Sequence, residues 1–251
     1  MSLKKASVCR IFLTVLALFS FSSSRTQPTN PIADQKIRFS GYTWTVRNTL
    51  NKQGPGPNYF KASNVTTDKN GYLHLFIKRD SANGEWSAAE VTADNLSGFG
   101  TYQFVVDGPL DRLDRNVVLG LFNYSGNDGL DEMDIEFARW GNDSFPNLNY
   151  TIWPAQATFK NASAVKEFSL ESNVSTHYFR RTADSVVCSS FNGLIAAPDR
   201  LIYSHTFKGS TVSISKLSMP VHINLWLFDG RPPGDRKTVE IIIRSFTYQP
   251  E

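Results

Sequence analysis

Period-two alternation of apolar and polar side chains dominates the chain. Tyr72 to Ile77 alternates, and so does Val221 to Phe228, with aliphatics at the odd positions and His222, Asn224, Trp226 and Phe228 at the even ones. Successive strand residues point to opposite faces, so this pattern predicts half-buried β-strands. Val117 to Tyr124, Asn147 to Trp153 and Val239 to Phe246 predict three more. Turn-forming clusters separate them: Gly54 to Asn58, Asp68 to Gly71, Asn127 to Gly129 and Gly230 to Asp235. Beyond the N-terminal segment no apolar period of 3.6 persists past two turns. Many strands at short spacing imply an all-β, antiparallel β-sandwich or barrel, and 251 residues suit a single domain of that kind.

The N-terminus departs from this pattern. Lys4, Lys5 and Arg10 precede a largely apolar run from Ile11 to Phe21, and the small residues Ser22, Ser23 and Ser24 follow. A bilayer span needs roughly 20 apolar residues, so the layout fits a secretory signal peptide over 1–24 better than a retained anchor. A polar, proline-containing lead-in occupies 25–37, and the folded domain is expected over 38–251. The expected location is therefore extracellular or periplasmic, with no membrane attachment after the leader is removed. The formal net charge of +3 equals the three basic residues of the leader. A neutral remainder gives no support for nucleic-acid binding, which calls for a clustered basic field. Seven Asn-x-Ser/Thr sequons, at Asn64, Asn95, Asn123, Asn142, Asn149, Asn161 and Asn173, acquire meaning only in a host that glycosylates them. With Cys9 in the leader, Cys188 has no partner and reads as a small buried hydrophobe. Aromatic residues make up 13% of the chain, a level that suits strands and sugar-facing surfaces.

The sharpest local chemistry is the string Asp131 to Phe137, DEMDIEF. On a strand, Glu132, Asp134 and Glu136 stand in a row on one face while Met133, Ile135 and Phe137 point the other way. Adjacent carboxylates repel and would weaken a strand kept for structure alone. Their repulsion also drives their pKa values apart, which leaves one protonated beside an ionised neighbour. Such a pair can cleave a glycosidic bond. Retaining glycosidases keep the two carboxyls about 5–5.5 Å apart, whereas Cα atoms four strand positions apart lie about 13 Å apart. The two Glu side chains must therefore lean together over the shorter Asp. A straight strand cannot wrap a Ca²⁺ ion, and the flanking Met, Ile and Phe argue against a merely solvated charged face.

These residues resemble the catalytic signature of glycoside hydrolase family 16, the jelly-roll glucanases that include lichenases and xyloglucan transglycosylases. The resemblance extends over roughly 38–248, through Trp86 to Thr92, Gly98 to Tyr102, Val117 to Tyr124, Leu148 to Tyr150, His177 to Phe179, Asn192-Gly193 and Ile223 to Trp226. It implies a single-domain β-jelly-roll sandwich acting as a retaining, endo-β-1,3-1,4-glucanase-like hydrolase. Glu132 would be the nucleophile, Glu136 the general acid/base, and Asp134 the residue that holds the nucleophile and biases its proton. With no extra residue between Asp134 and Glu136, the spacing is similar to the unbulged lichenase and transglycosylase branches. Parity and resemblance together nominate Glu90, Asn224 and Trp226 as sugar ligands. Parity alone adds Phe122, Tyr124, Asn149 and Trp153, with Trp86 sharing the parity of Glu90. Trp140 joins them if the carboxylate strand continues that far. His74 and His177 are expected to make structural hydrogen bonds.

Some positions depart from the family. Leu130 stands where lichenases carry an aromatic, and Arg244 aligns with a carboxylate that can help bind structural Ca²⁺. No cofactor or metal is therefore expected, and the partner is a polysaccharide bound by a monomer. Two other readings stay open. One is a transglycosylase using the same intermediate, and the other is a lectin-like sugar-binding module without catalysis.

Overall fold

The structure is a computed structural model that describes residues 35–251. The expected leader and most of the lead-in lie outside the described residues. In chain order the strands are β1 (Gln35–Phe39), β2 (Tyr42–Val46), β3 (Tyr59–Phe60), β4 (Val65–Thr67), β5 (Leu73–Arg79), β6 (Trp86–Ser97), β7 (Gly100–Asp107) and β8 (Val117–Tyr124). They continue as β9 (Glu132–Phe137), β10 (Leu148–Trp153), β11 (Ala162–Lys166), β12 (Val174–Arg181), β13 (Ser185–Asn192), β14 (Leu201–Lys208), β15 (Met219–Leu227) and β16 (Val239–Pro250). β1 begins at Gln35, ahead of the expected boundary at 38. Gln35 and Lys36 pair with Val46 and Thr45 on an edge where both faces are polar, so no alternation marks them.

Two antiparallel layers result. One runs β1-β2-β6-β15-β8-β9-β10-β11, and the other runs β4-β5-β16-β7-β12-β13-β14. β6 joins the two by pairing with β5 at Trp86 and Ser87 and with β15 and β2 further along. This is the sandwich that the strand pattern predicts, in the jelly-roll form that the family resemblance implies. Alternation explains the core between the layers. Met133, Ile135 and Phe137 of β9, Val221, Ile223 and Leu225 of β15, and Leu119 and Leu121 of β8 face Leu73, Leu75 and Ile77 of β5 and Tyr102, Phe104 and Val106 of β7. Each such side chain contributes roughly 1.5–3 kcal/mol on burial. The opposite face of the first layer is therefore free to carry polar groups, and it carries the site.

Not every core position is apolar. His177 is fully buried; its Nε2 lies 2.8 Å from Ser175 Oγ and its Nδ1 2.8 Å from Ser190 Oγ. The Tyr150 hydroxyl donates to Ser190 Oγ at 2.7 Å, linking the two layers. His74 bonds Glu240 (Nδ1–Oε1 2.7 Å). Cys188 is a free, buried thiol, and burial raises its pKa. Arg244 is paired with Asp107 across β16 and β7. Of the seven sequons, Asn64, Asn123 and Asn149 are buried with their amide nitrogens hydrogen-bonded to backbone carbonyls. A glycan could not be carried there in the folded chain. Among the described residues no helix is long and apolar enough to cross a membrane.

Candidate active site

Strand register builds the site. Glu136 pairs with Gly120 on β8, Gly120 with Asn224 on β15, and Asn224 with Glu90 on β6. Asn149 of β10 pairs with Glu136 from the other side. One row across the sheet is therefore Asn149, Glu136, Gly120, Asn224 and Glu90. The next row is Thr151, Asp134, Phe122, His222 and Thr92, and the one after carries Trp153, Glu132 and Tyr124. All these residues share the face turned away from the core. Gly120 is needed in its row, because a Cβ there would lie 2.5 Å from Asn224 Oδ1.

A groove follows these rows. On the β6 side a cavity of about 520 Å³ is lined by Glu90, Phe122, Tyr124, His222, Asn224 and the three carboxyls. On the β10 side a second cavity of about 420 Å³ is lined by Trp140, Asn149, Thr151, Trp153 and the same three carboxyls. Trp226 borders both. Glu132, Asp134 and Glu136 thus occupy the junction of two arms. Asp134 is buried, while Glu132 and Glu136 keep part of their surface open to the groove.

The electrostatics separate the three. Burial, followed by the charge of Glu132, pushes Glu136 up to about 8. Burial also raises Glu132, but a hydrogen bond from Asp134 opposes it and the carboxyl settles at about 7. Asp134 lies well above the ordinary range, chiefly through burial and then through its two charged neighbours. The proton between Asp134 and Glu132 therefore rests on Asp134. Trp153 Nε1 donates to the same carboxyl, at Asp134 Oδ2 (3.0 Å). This leaves Glu132 as the group most readily ionised and Glu136 as a neutral acid near pH 7.

The subsite residues divide by what they touch. Glu90 is buried; burial alone would raise its pKa, but hydrogen bonding with His222 and the charge of Arg47 outweigh it and hold the carboxyl below its ordinary value. Phe122 stacks on His222 with centroids 4.9 Å apart, and the Tyr124 hydroxyl donates to Asp128 Oδ1 at 2.7 Å. Trp226 sits in a small apolar cluster with Phe60, Ala88, Val118 and Ala138 that floors the groove. Asn149 donates to Ala138 O and accepts from Trp140 Nε1 at 3.3 Å, so it anchors that indole. Trp140 reaches the groove, but not by continuing the strand. β9 ends at Phe137, and a left-handed turn at Trp140 (φ 51°) and Gly141 folds the ring back against Trp226 and Phe228. Trp86 does not join the site. β6 twists from one layer into the other between Trp86 and Glu90, burying both Ala88 and Ala89, so parity counted across that crossing fails.

Arg47, Asp128 and His222 line the groove without having been singled out from sequence. His222 was within reach, since it shares the polar parity of Asn224 and Trp226. Arg47 follows β2 at the start of a loop, where no periodicity operates. Gly120 inside an apolar strand was a legible sign of close approach.

Comparison with solved structures decides the architecture. The chain superposes on a Bacillus licheniformis β-glucanase with TM-score 0.61 and 16% identity, over 83% of this chain and 92% of that one. A β-1,3-1,4-glucanase (lichenase) from a mouse hindgut metagenome gives TM-score 0.61 and 17% identity, over 83% and 93%. The fold is that of the family 16 glycoside hydrolases. A family 16 endo-glucanase from Bacteroides ovatus, in complex with G4G3G-2F-DNP, agrees at TM-score 0.61 and 14% identity over 82% of this chain and 94% of that one. No family model and no curated protein sequence matches the chain. The likeness is thus one of backbone, and the chemistry lies with the residues of the groove.

Proposed function

We propose that this chain is a retaining glycoside hydrolase acting on a β-glucan-type polysaccharide. The observation that carries the reading is the row Glu132-Asp134-Glu136 at the junction of a two-armed groove, with its protons unequally held. Glu136, neutral near pH 7, donates its proton to the glycosidic oxygen as the C–O bond breaks. Glu132 attacks the anomeric carbon from the opposite side and forms a glycosyl-enzyme ester. Asp134 holds Glu132 in place through their shared proton and can adjust that proton as the ester forms and breaks. Water then enters, loses a proton to Glu136, and releases the sugar with its original anomeric configuration.

The repulsion within the row weighs against a lectin-like module, because a sugar-binding surface gains nothing from three carboxyls raised in pKa together. Export behind a cleaved leader and action as a monomer complete the proposal, and no step calls on a metal. Reducing-end release from barley mixed-linkage β-glucan by the wild type, and its loss in a Glu132→Gln protein that melts cooperatively at or above the wild-type temperature, is the test. Normal turnover in that variant removes the assignment.

A further inference from the structure

Arg47 lines the groove, yet its guanidinium is engaged by contacts within the protein. Its backbone N–H donates to Glu90 O (3.0 Å), continuing the row Asn149-Glu136-Gly120-Asn224-Glu90 by one place. Its Nη1 donates to Glu90 Oε2 (2.8 Å), and its Nη2 donates to Gln53 Oε1 (3.1 Å) and Gly54 O (2.8 Å). The guanidinium rests on the Phe60 ring at 4.0 Å. A planar fork held on three sides in this way is a fixed strut.

The strut carries a loop. Gln53 and Asn58 bridge each other through their backbones, and Asn58 Nδ2 donates to Pro55 O and Leu227 O at 2.8 Å each. Leu227 N–H returns a bond to Asn58 Oδ1. Packing leaves the loop no slack: a Cβ on Gly56 would overlap Asn58, and one on Gly230 would lie 2.7 Å from Pro57 O. Residues 53–58 are therefore pinned from Arg47 at one end and from the end of β15 at the other. Gly54 and Pro55 form part of the lining of the β6-side cavity.

We infer that Arg47 and the loop it pins are the specificity determinant of the β6-side arm, restricting it to neutral, undecorated hexose units of a linear chain. This rests on the hydrolase reading above and extends it to the class of substrate. Two acceptors stand in the arm: the ionised Glu90 carboxylate, one oxygen of which already holds Arg47, and the buried Oδ1 of Asn224, which meets no donor of the protein. Acceptors call for sugar hydroxyl hydrogens, and a hydroxyl that bears a branch has none to offer. The branch must also pass a wall that cannot move aside. Glu90, Asp128 and Glu132 line the same cavity and oppose uronate or sulfate groups, while Arg47, already paired with Glu90, offers no free cation to receive them.

The test compares kcat/KM on linear mixed-linkage β-glucan with that on a β-1,4-glucan backbone carrying xylosyl branches. The wild type should prefer the linear chain by about a hundredfold, the discrimination that an unmet polar group and a steric clash give together. Arg47→Ala and Asn58→Ala each release the loop, and only the first also uncovers Glu90. Both should lower the preference about tenfold, with thermal melts confirming that they fold; Gln53→Ala, which cuts one anchor, replaces either if it does not. Equal wild-type rates on the two polymers overturn the inference while leaving the hydrolase reading intact. A wild type inactive on both removes the two together. If Arg47→Ala changes the preference and Asn58→Ala does not, selectivity runs through the charge on Glu90, and the wall has no part in it.

Discussion

Two buried polar clusters in this molecule are built on opposite terms. Around His177 every group has a partner: both ring nitrogens meet serine hydroxyls, Tyr150 closes the chain of bonds, and burial pushes the imidazole down to about 3. It stays neutral throughout the usual pH range. Around Asp134 three carboxyls crowd together and each is raised by burial and by charged neighbours. The first cluster is satisfied and shut, which holds two sheets together. The second is frustrated and open to a groove, which is how a fold keeps protons in the unequal state that bond cleavage needs. The contrast teaches that burial of a titratable group says little about its role until its partners are counted.

A double dissociation follows, and the largest effect falls on turnover. Glu132→Gln should lower kcat by about 10⁴-fold or more, while removing a repelling carboxyl and raising stability by about 0.5–2 kcal/mol. A calorimetric melt beside a reducing-sugar assay reads both. Glu136→Gln should cost about 10²–10⁴-fold and abolish the alkaline limb of the rate profile. With Glu136 as the proposed acid and Glu132 as the proposed nucleophile, kcat/KM should peak between about pH 7 and about pH 8 and fall on either side.

Stability has its own pH signature. The folded Glu136 keeps a proton, up to about 8, that the unfolded chain has lost above its usual 4.5. Unfolding then releases a proton, so stability falls as pH rises through that window. Glu136→Gln should flatten this slope in denaturant titrations run across it. His177 acts with the opposite sign. Its folded value is depressed from 6.5, so stability is lost as pH falls from 6.5 toward 3.

His177→Ala should leave kcat near wild type and cost about 2–4 kcal/mol through an unfilled cavity and orphaned hydroxyls. Lost activity at full stability in that variant would break the comparison. Trp153→Phe, which deletes the donor to Asp134 but keeps the ring, should give the smallest effect, a fall in kcat of about tenfold or less, corresponding to one hydrogen bond.

Much of this was legible in the sequence because alternation controls it. Val117 to Tyr124 emerged as β8 without adjustment, and the outward row of Glu132, Asp134 and Glu136 follows from period two alone. Legibility ended where side chains and faces stop corresponding. β12 and β13 bury Ser175, Thr176, His177 and Ser190, so their inward faces read as polar and the strands are hard to see. Trp86 was misplaced because β6 changes layers. Trp140 arrived by a left-handed turn that no periodicity encodes. Arg47 holds a loop whose other anchor, Asn58 on Leu227, joins residues far apart in the chain, beyond the reach of any local pattern.

The central claim is that Glu132 and Glu136 divide nucleophilic and acidic duties. A 2-deoxy-2-fluoro β-glucan oligosaccharide with a dinitrophenyl leaving group tests it directly, because it forms the ester quickly and hydrolyses slowly. Intact mass spectrometry should show one added glycosyl unit, and peptide mapping should place it on Glu132. Labelling on Glu136, or dinitrophenol release with no covalent adduct and an inverted anomeric product, would contradict the account.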